Sequence, residues 1–179
     1  YFSIIQESSA LGCEMQWEEK DNWPTVRMYN PIWKSADDVK VPTDFLEHRD
    51  VKTITESIRI LKQEYGDEVA IIGKTMGPWT LAYHVFGVER FLLGTVDNPE
   101  ETMRAMDKLK EISVLFGEAQ IEAGADALTF PDHATGDLVS GEYYKRFLME
   151  IHMEMAERLN VPLILHICGN SNQLHYCLC

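Results

Sequence analysis

The order of apolar and amphipathic segments predicts an α/β fold with a parallel sheet, either doubly wound or part of a (β/α)8 barrel. Three observations carry that expectation. Short apolar runs rich in β-branched residues lie at 69–73, 125–130 and 161–167. Long stretches with apolar residues at every third or fourth position separate them, and a polar loop follows each run. A complete (β/α)8 barrel needs about 250 residues. With 179 residues and three convincing strands, the expected object is the amino-terminal half of a TIM barrel: one incomplete domain over 1–179, with an atypical tail at 171–179.

The first legible helix spans 51–65, where Ile54, Ile58, Leu61 and Tyr65 fall on one face and Gly66 supplies the stop. Val69 to Gly73 then reads as a strand buried on both faces. Residues 81–93 read as one short helix. Asn98, Pro99 and two glutamates form the start of a long helix with Met103, Met106, Leu109, Ile112, Phe116, Ala119 and Ala123 inward. Gly124 ends it, and the second strand, 125–130, follows at once. Ser140 is the expected cap of a helix carrying Tyr144, Phe147, Leu148, Ile151, Met155 and Leu159, closed by Asn160. The third strand, 161–167, has Pro162 near its start, where no central ladder bond is lost. The first fifty residues hold Trp17, Trp23 and Trp33 with Pro24, Pro31 and Pro42, and predict irregular structure with short elements.

Composition narrows the function. Sixteen Lys plus Arg against 29 Asp plus Glu give a formal charge of −13, and no basic cluster is long enough to follow a phosphate backbone, so no nucleic-acid role is expected. At 45 % hydrophobic and 25 % charged residues the chain is globular in composition rather than disordered. No apolar run approaches the roughly 20 residues that span a bilayer. The first residues, Tyr1 to Ile5, lack both a Met and the basic and apolar regions of a signal peptide. The expectation is a cytoplasmic protein, and Tyr1 reads as an internal position. Cys13 stands alone while Cys168, Cys177 and Cys179 crowd the end, which suits reduced thiols rather than a disulfide framework.

In parallel α/β folds ligands gather at the carboxyl ends of strands. Three loops lie there. His166 and Cys168 are two apart at a strand end, so their side chains share a face, and an imidazole with a thiolate is a donor pair for a borderline-soft ion such as zinc. The alternative is a core strand that ends on a His and a packed Cys by chance. Asp132 and His133 pair a carboxylate with an imidazole, candidates for orienting a ligand and for acid–base work, or else residues that hold a turn. Met76, Gly77, Pro78 and Trp79 offer backbone, a rigid turn and an aromatic wall for a substrate. Equally, they form an ordinary strand-to-helix turn. His48, His84 and His152 have no partner at metal spacing and are assigned no chemistry.

Four blocks in order resemble one family: Gly73-Lys74-Thr75-Met76-Gly77-Pro78-Trp79-Thr80-Leu81-Ala82, Ala123-Gly124-Ala125-Asp126-Ala127, Asp132-His133-Ala134-Thr135-Gly136-Asp137-Leu138-Val139-Ser140, and Leu165-His166-Ile167-Cys168-Gly169-Asn170. They are similar to the uroporphyrinogen decarboxylase superfamily, and His-x-Cys most resembles its methylcobamide:coenzyme M methyltransferases. The resemblance implies a (β/α)8 barrel in which His166 and Cys168 are two of three protein ligands to zinc. It also implies a thiol acceptor such as coenzyme M and a methylcobamide donor carried on a separate corrinoid protein. The third ligand would lie many tens of residues beyond Cys168. Cys177 and Cys179 are possible substitutes, since His175 and Cys177 repeat the spacing. Two alternatives stand beside this reading: the decarboxylase itself, in which Asp132 would echo the aspartate that holds the pyrroles, and an inactive barrel fragment with two open edges.

Overall fold

The computed structural model of the chain describes residues 5–17 and 23–171. It opens with α1 (Gln6–Ala10) and a small antiparallel pair, β1 (Met15–Gln16) and β2 (Thr25–Val26). Two 3₁₀ turns, Ala36–Asp38 and Phe45–Glu47, lead into α2 (Arg49–Tyr65). The remainder alternates as the sequence predicts: β3 (Ile72–Lys74), α3 (Pro78–Phe86), α4 (Val88–Asp97), α5 (Pro99–Glu122), β4 (Ala127–Pro131), α6 (Gly141–Phe147), α7 (Met149–Leu159) and β5 (Leu163–His166).

β3, β4 and β5 form a parallel sheet in that order, with Gly73 beside Leu128 and Phe130 beside Leu165. Paired residues point to the same face of the sheet. One face therefore carries Gly73, Leu128 and Phe130. It is covered by helices, since a side chain at Gly117 of α5 would press on both Leu128 and Leu159 of α7. Leu128 and Phe130 are fully buried there, each worth about 1.5–3 kcal/mol. The other face carries Ile72, Thr129, Ile164 and His166, and Ile72 and Ile164 are 53 % and 47 % exposed. The sheet is not closed into a barrel among the described residues.

Several expectations need correction. The first strand is not buried on both faces: it begins at Ile72, and Val69 and Ile72 face solvent. The helix read over 81–93 is two helices, because Gly87 sits at φ +80 and breaks the backbone between α3 and α4. The helix after Ser140 is broken at Leu148, which leaves helical geometry between α6 and α7. α2 turns Val51, Thr55 and Ile58 inward, while Leu61 and Tyr65 of the expected stripe are half exposed. Met103 on α5 is likewise exposed.

The termini of these helices follow their sequence signals. The side chains of Asn98 and Ser140 accept from the backbone N–H groups of Glu101 and Tyr143. Asn160 closes α7 in the left-handed region, φ 46. Among the described residues no helix is long and apolar enough to cross a membrane. Cys13 is a buried free thiol and Cys168 an exposed one. Cys177 and Cys179 lie outside the described residues, as does His175.

Candidate functional site

The three loops that follow β3, β4 and β5 meet on one rim, and hydrogen bonds between them fix their relation. The Asp132 N–H donates to the His166 carbonyl at 2.9 Å, and the Gly136 N–H donates to the Asn170 carbonyl at 2.7 Å. Gly169, at φ +85, brings its backbone so near Thr135 that a Cβ would lie 2.8 Å from the threonine hydroxyl. On the β3 side, Gly77 donates to the Pro131 carbonyl at 2.8 Å.

His166 closes β5 on the open face of the sheet, and Cys168 follows two residues on. The His166 Nε2 and Cys168 Sγ stand 3.0 Å apart, and both side chains are exposed. An imidazole nitrogen and a thiol sulfur side by side are a donor pair that fits zinc. Among the described residues no group of three His, Cys, Asp or Glu side chains is placed to hold a metal ion, so this pair supplies two donors and not a full set.

Asp132 is the hub of the rim. Its side chain is fully buried and its carboxylate faces four donor groups. Oδ1 accepts from the Thr80 N–H and hydroxyl, both at 2.8 Å. Oδ2 lies 3.1 Å from the His152 Nε2 and 3.4 Å from the Trp79 N–H. α3 has no side-chain cap of its own, its N-cap being Gly77. The Asp132 carboxylate serves in its place, a negative group against the positive end of the helix. The carboxylate sits directly over Gly77, where a Cβ would come within 2.1 Å of its Cγ. His133 is exposed, its N–H held at 2.7 Å by the Thr80 hydroxyl and its ring edge-on to Tyr83.

The loop expected to contact substrate is an interior strand-to-helix turn. Met76, Gly77, Pro78 and Trp79 are all buried, and the Trp79 indole packs against Tyr83, Phe91 and Phe147. Trp79 donates its ring N–H to the Tyr83 hydroxyl at 2.6 Å, and burial pushes the pKa of that hydroxyl up to about 12. Beneath the turn lies a buried ion pair. Lys74 Nζ meets the Glu7 carboxylate at 2.8 Å, and Glu7 also accepts from the Met76 N–H at 2.7 Å. Gln120 bonds both the N–H and the carbonyl of Lys74.

Sequence reasoning singled out neither His152 nor Glu7. His152 carried a signal, because it belongs to the stripe Tyr144, Leu148, His152, Met155 and Leu159 at spacings of four, four, three and four. A histidine on a buried stripe needs polar partners. Glu7 lies in a polar segment with no periodicity to show that it faces inward.

An α/β chain whose polar rim collects at the carboxyl ends of parallel strands, with an exposed His–Cys pair on it, has the layout of an α/β enzyme. Residues 1–178 match the uroporphyrinogen decarboxylase (URO-D) family, and the chain belongs to it. Methylcobamide:CoM methyltransferase MtaA of Methanosarcina barkeri is 32 % identical over 166 residues, covering 92 % of this chain and 49 % of the relative. A uroporphyrinogen decarboxylase of Syntrophotalea carbinolica is 30 % identical over 151 residues, covering 78 % of this chain and 43 % of the relative. A solved methyltransferase from Methanosarcina mazei superposes with a TM-score of 0.90 at 28 % identity, covering 97 % of this chain and 52 % of that one. The chain thus spans about half the length of the relatives it matches.

Proposed function

We propose that this chain is the amino-terminal part of a (β/α)8 barrel methyltransferase in the cytoplasm. On this reading it moves a methyl group from a methylcobamide, carried on a separate corrinoid protein, to a small thiol such as coenzyme M. The observation that carries the reading is the His166–Cys168 pair, 3.0 Å apart and exposed at the carboxyl end of β5. The solved methyltransferase that superposes at a TM-score of 0.90 supports it, as does the 32 % identity to a methyltransferase relative against 28 % to a decarboxylase that covers 97 % of this chain. The decarboxylase alternative gives the pair no task.

His166 and Cys168 would hold zinc through Nε2 and Sγ, together with a donor beyond the described residues. Bound there, the ion supplies the positive charge that keeps a thiol deprotonated near neutral pH. The chain's own groups do the rest. The acceptor thiol must lose its proton before its sulfur can attack the methyl carbon and displace the corrinoid cobalt, which leaves with the Co–C electron pair as Co(I). His133, exposed on the adjoining loop, is the group assigned to receive that proton. Asp132, buried and fully engaged, orients Thr80 and the His166 carbonyl and does not meet substrate. Met76, Gly77, Pro78 and Trp79 serve substrate binding at one remove, by fixing the turn on which Thr80 stands.

The test is methyl transfer from free methylcobalamin to coenzyme M, followed by the loss of the methylcobalamin absorbance with the zinc-loaded chain. Turnover that disappears in Cys168→Ala is the expected result. Equal turnover in the two proteins contradicts the assignment, and decarboxylation of uroporphyrinogen by the chain would favour the alternative.

A further inference from the structure

We propose that His152 is a positioning residue for the rim: through the Asp132 carboxylate it holds the backbone on which His133 and His166 stand. The proposal rests on the methyl-transfer reading only for what the rim does, and not for how it is held.

The geometry runs in one direction across three elements. His152 projects from α7, 7 % exposed, with its ring edge-on to Phe130 of β4 at 4.9 Å between centroids. Its Nδ1 lies 2.9 Å from the Tyr144 hydroxyl on α6, and its Nε2 lies 3.1 Å from Asp132 Oδ2. A carboxylate only accepts, so Nε2 carries the hydrogen, and in a neutral imidazole Nδ1 is then the acceptor for the Tyr144 hydroxyl. Asp132 passes the constraint on twice. Its Oδ1 fixes the Thr80 hydroxyl, which accepts from the His133 N–H. Its own N–H holds the His166 carbonyl.

His152 is the member of this chain whose loss has no local substitute. Among the described contacts to Asp132 Oδ2, the other is the 3.4 Å approach of the Trp79 N–H, at the weak end of hydrogen-bond geometry. Without His152 a buried carboxylate oxygen is left nearly unpaired, and its cheapest relief is to turn toward solvent at the rim. That rotation takes the acceptor away from Thr80 and loosens the Asp132 backbone, and with it the grip on the His166 carbonyl. The arrangement resembles the outer partners that orient metal ligands, here acting through main chain rather than through the imidazole itself.

The test is amide hydrogen exchange on the 179-residue chain and three variants, with zinc affinity as the second readout. In His152→Phe, exchange at the Asp132 and His133 amides should rise about tenfold or more relative to amides within α5, as expected for a local opening. His152→Gln, whose side-chain amide can still donate to Oδ2, should restore most of the protection. Met155→Ala removes buried apolar volume one turn away on α7 and should lower the melting temperature without moving that ratio. The zinc-loaded chain should lose about 10- to 100-fold in zinc affinity in His152→Phe, and should not in Met155→Ala. Unchanged protection of Asp132 in His152→Phe, or an equal rise in Met155→Ala, overturns the proposal. If the parent chain takes up no zinc, the methyl-transfer reading fails, and the exchange ratios still decide the role of His152.

Discussion

Asp132 shows how a residue type common in turns and in active sites is assigned by its surroundings. Four donors converge on its two oxygens, and the space it occupies is kept open by Gly77. Gly77→Ala should therefore cost about 2 kcal/mol or more, the price of overpacking a closed site, read as a lower urea midpoint; an unchanged midpoint would show that the carboxylate has room to move. A second residue-scale effect concerns His84, which is buried on α3 with its Nδ1 2.6 Å from the Ser8 hydroxyl. Burial, helped by the charge of Lys74, brings its pKa down to about 4 from 6.5. Between those values the unfolded chain binds a proton that the folded chain refuses. His84 thus contributes stability that is whole above pH 6.5 and is lost as the pH falls toward 4, on the order of 3 kcal/mol. In urea melts at pH 7.5 and 4.5, His84→Gln should show a smaller loss on acidification than the parent; an equal loss would contradict the assignment.

At the scale of elements, the repeating α/β part was legible because its signals are local. Asn98, Ser140 and Asn160 mark helix ends by their own side-chain or backbone chemistry, and the runs 69–73, 125–130 and 161–167 each contain or adjoin a strand. What escaped was whatever depends on distant partners. α1 is a single turn of Gln, Glu, Ser, Ser and Ala that is buried because Glu7 meets Lys74, 67 residues away, and no periodicity reports that. The breaks at Gly87 and Leu148 were hidden because apolar residues continue on both sides of each. The candidate site was legible as loops at strand ends and as the His166–Cys168 pair. The burial of Asp132, Met76 and Trp79 was not, since it depends on α3 packing against α4 and α5 and on the Asp132 carboxylate meeting its first turn. Gly87 has a measurable consequence: at φ +80, with a Cβ position 2.8 Å from the Met28 carbonyl, Gly87→Ala should destabilise the chain by about 1–3 kcal/mol. A melt unchanged by that substitution would mean that α3 and α4 can join as one helix.

At the scale of the molecule, the sheet presents one covered and one open face. Ile72 and Ile164 stand half exposed on the face that also carries His166, and β3 and β5 are its two edges. The 179-residue chain should therefore bind an apolar dye, and Ile164→Lys should reduce the fluorescence while leaving the melting temperature nearly unchanged. Absence of dye binding by the parent would show that something covers this face. The same open face is where function is assigned. The measurement that tests the central claim most directly is zinc per chain on the purified protein and on Cys168→Ala. Near-stoichiometric zinc that the substitution removes is the predicted result, with His166 and Cys168 as ligands. A parent chain that holds no zinc, or a Cys168→Ala chain that retains it, contradicts the account.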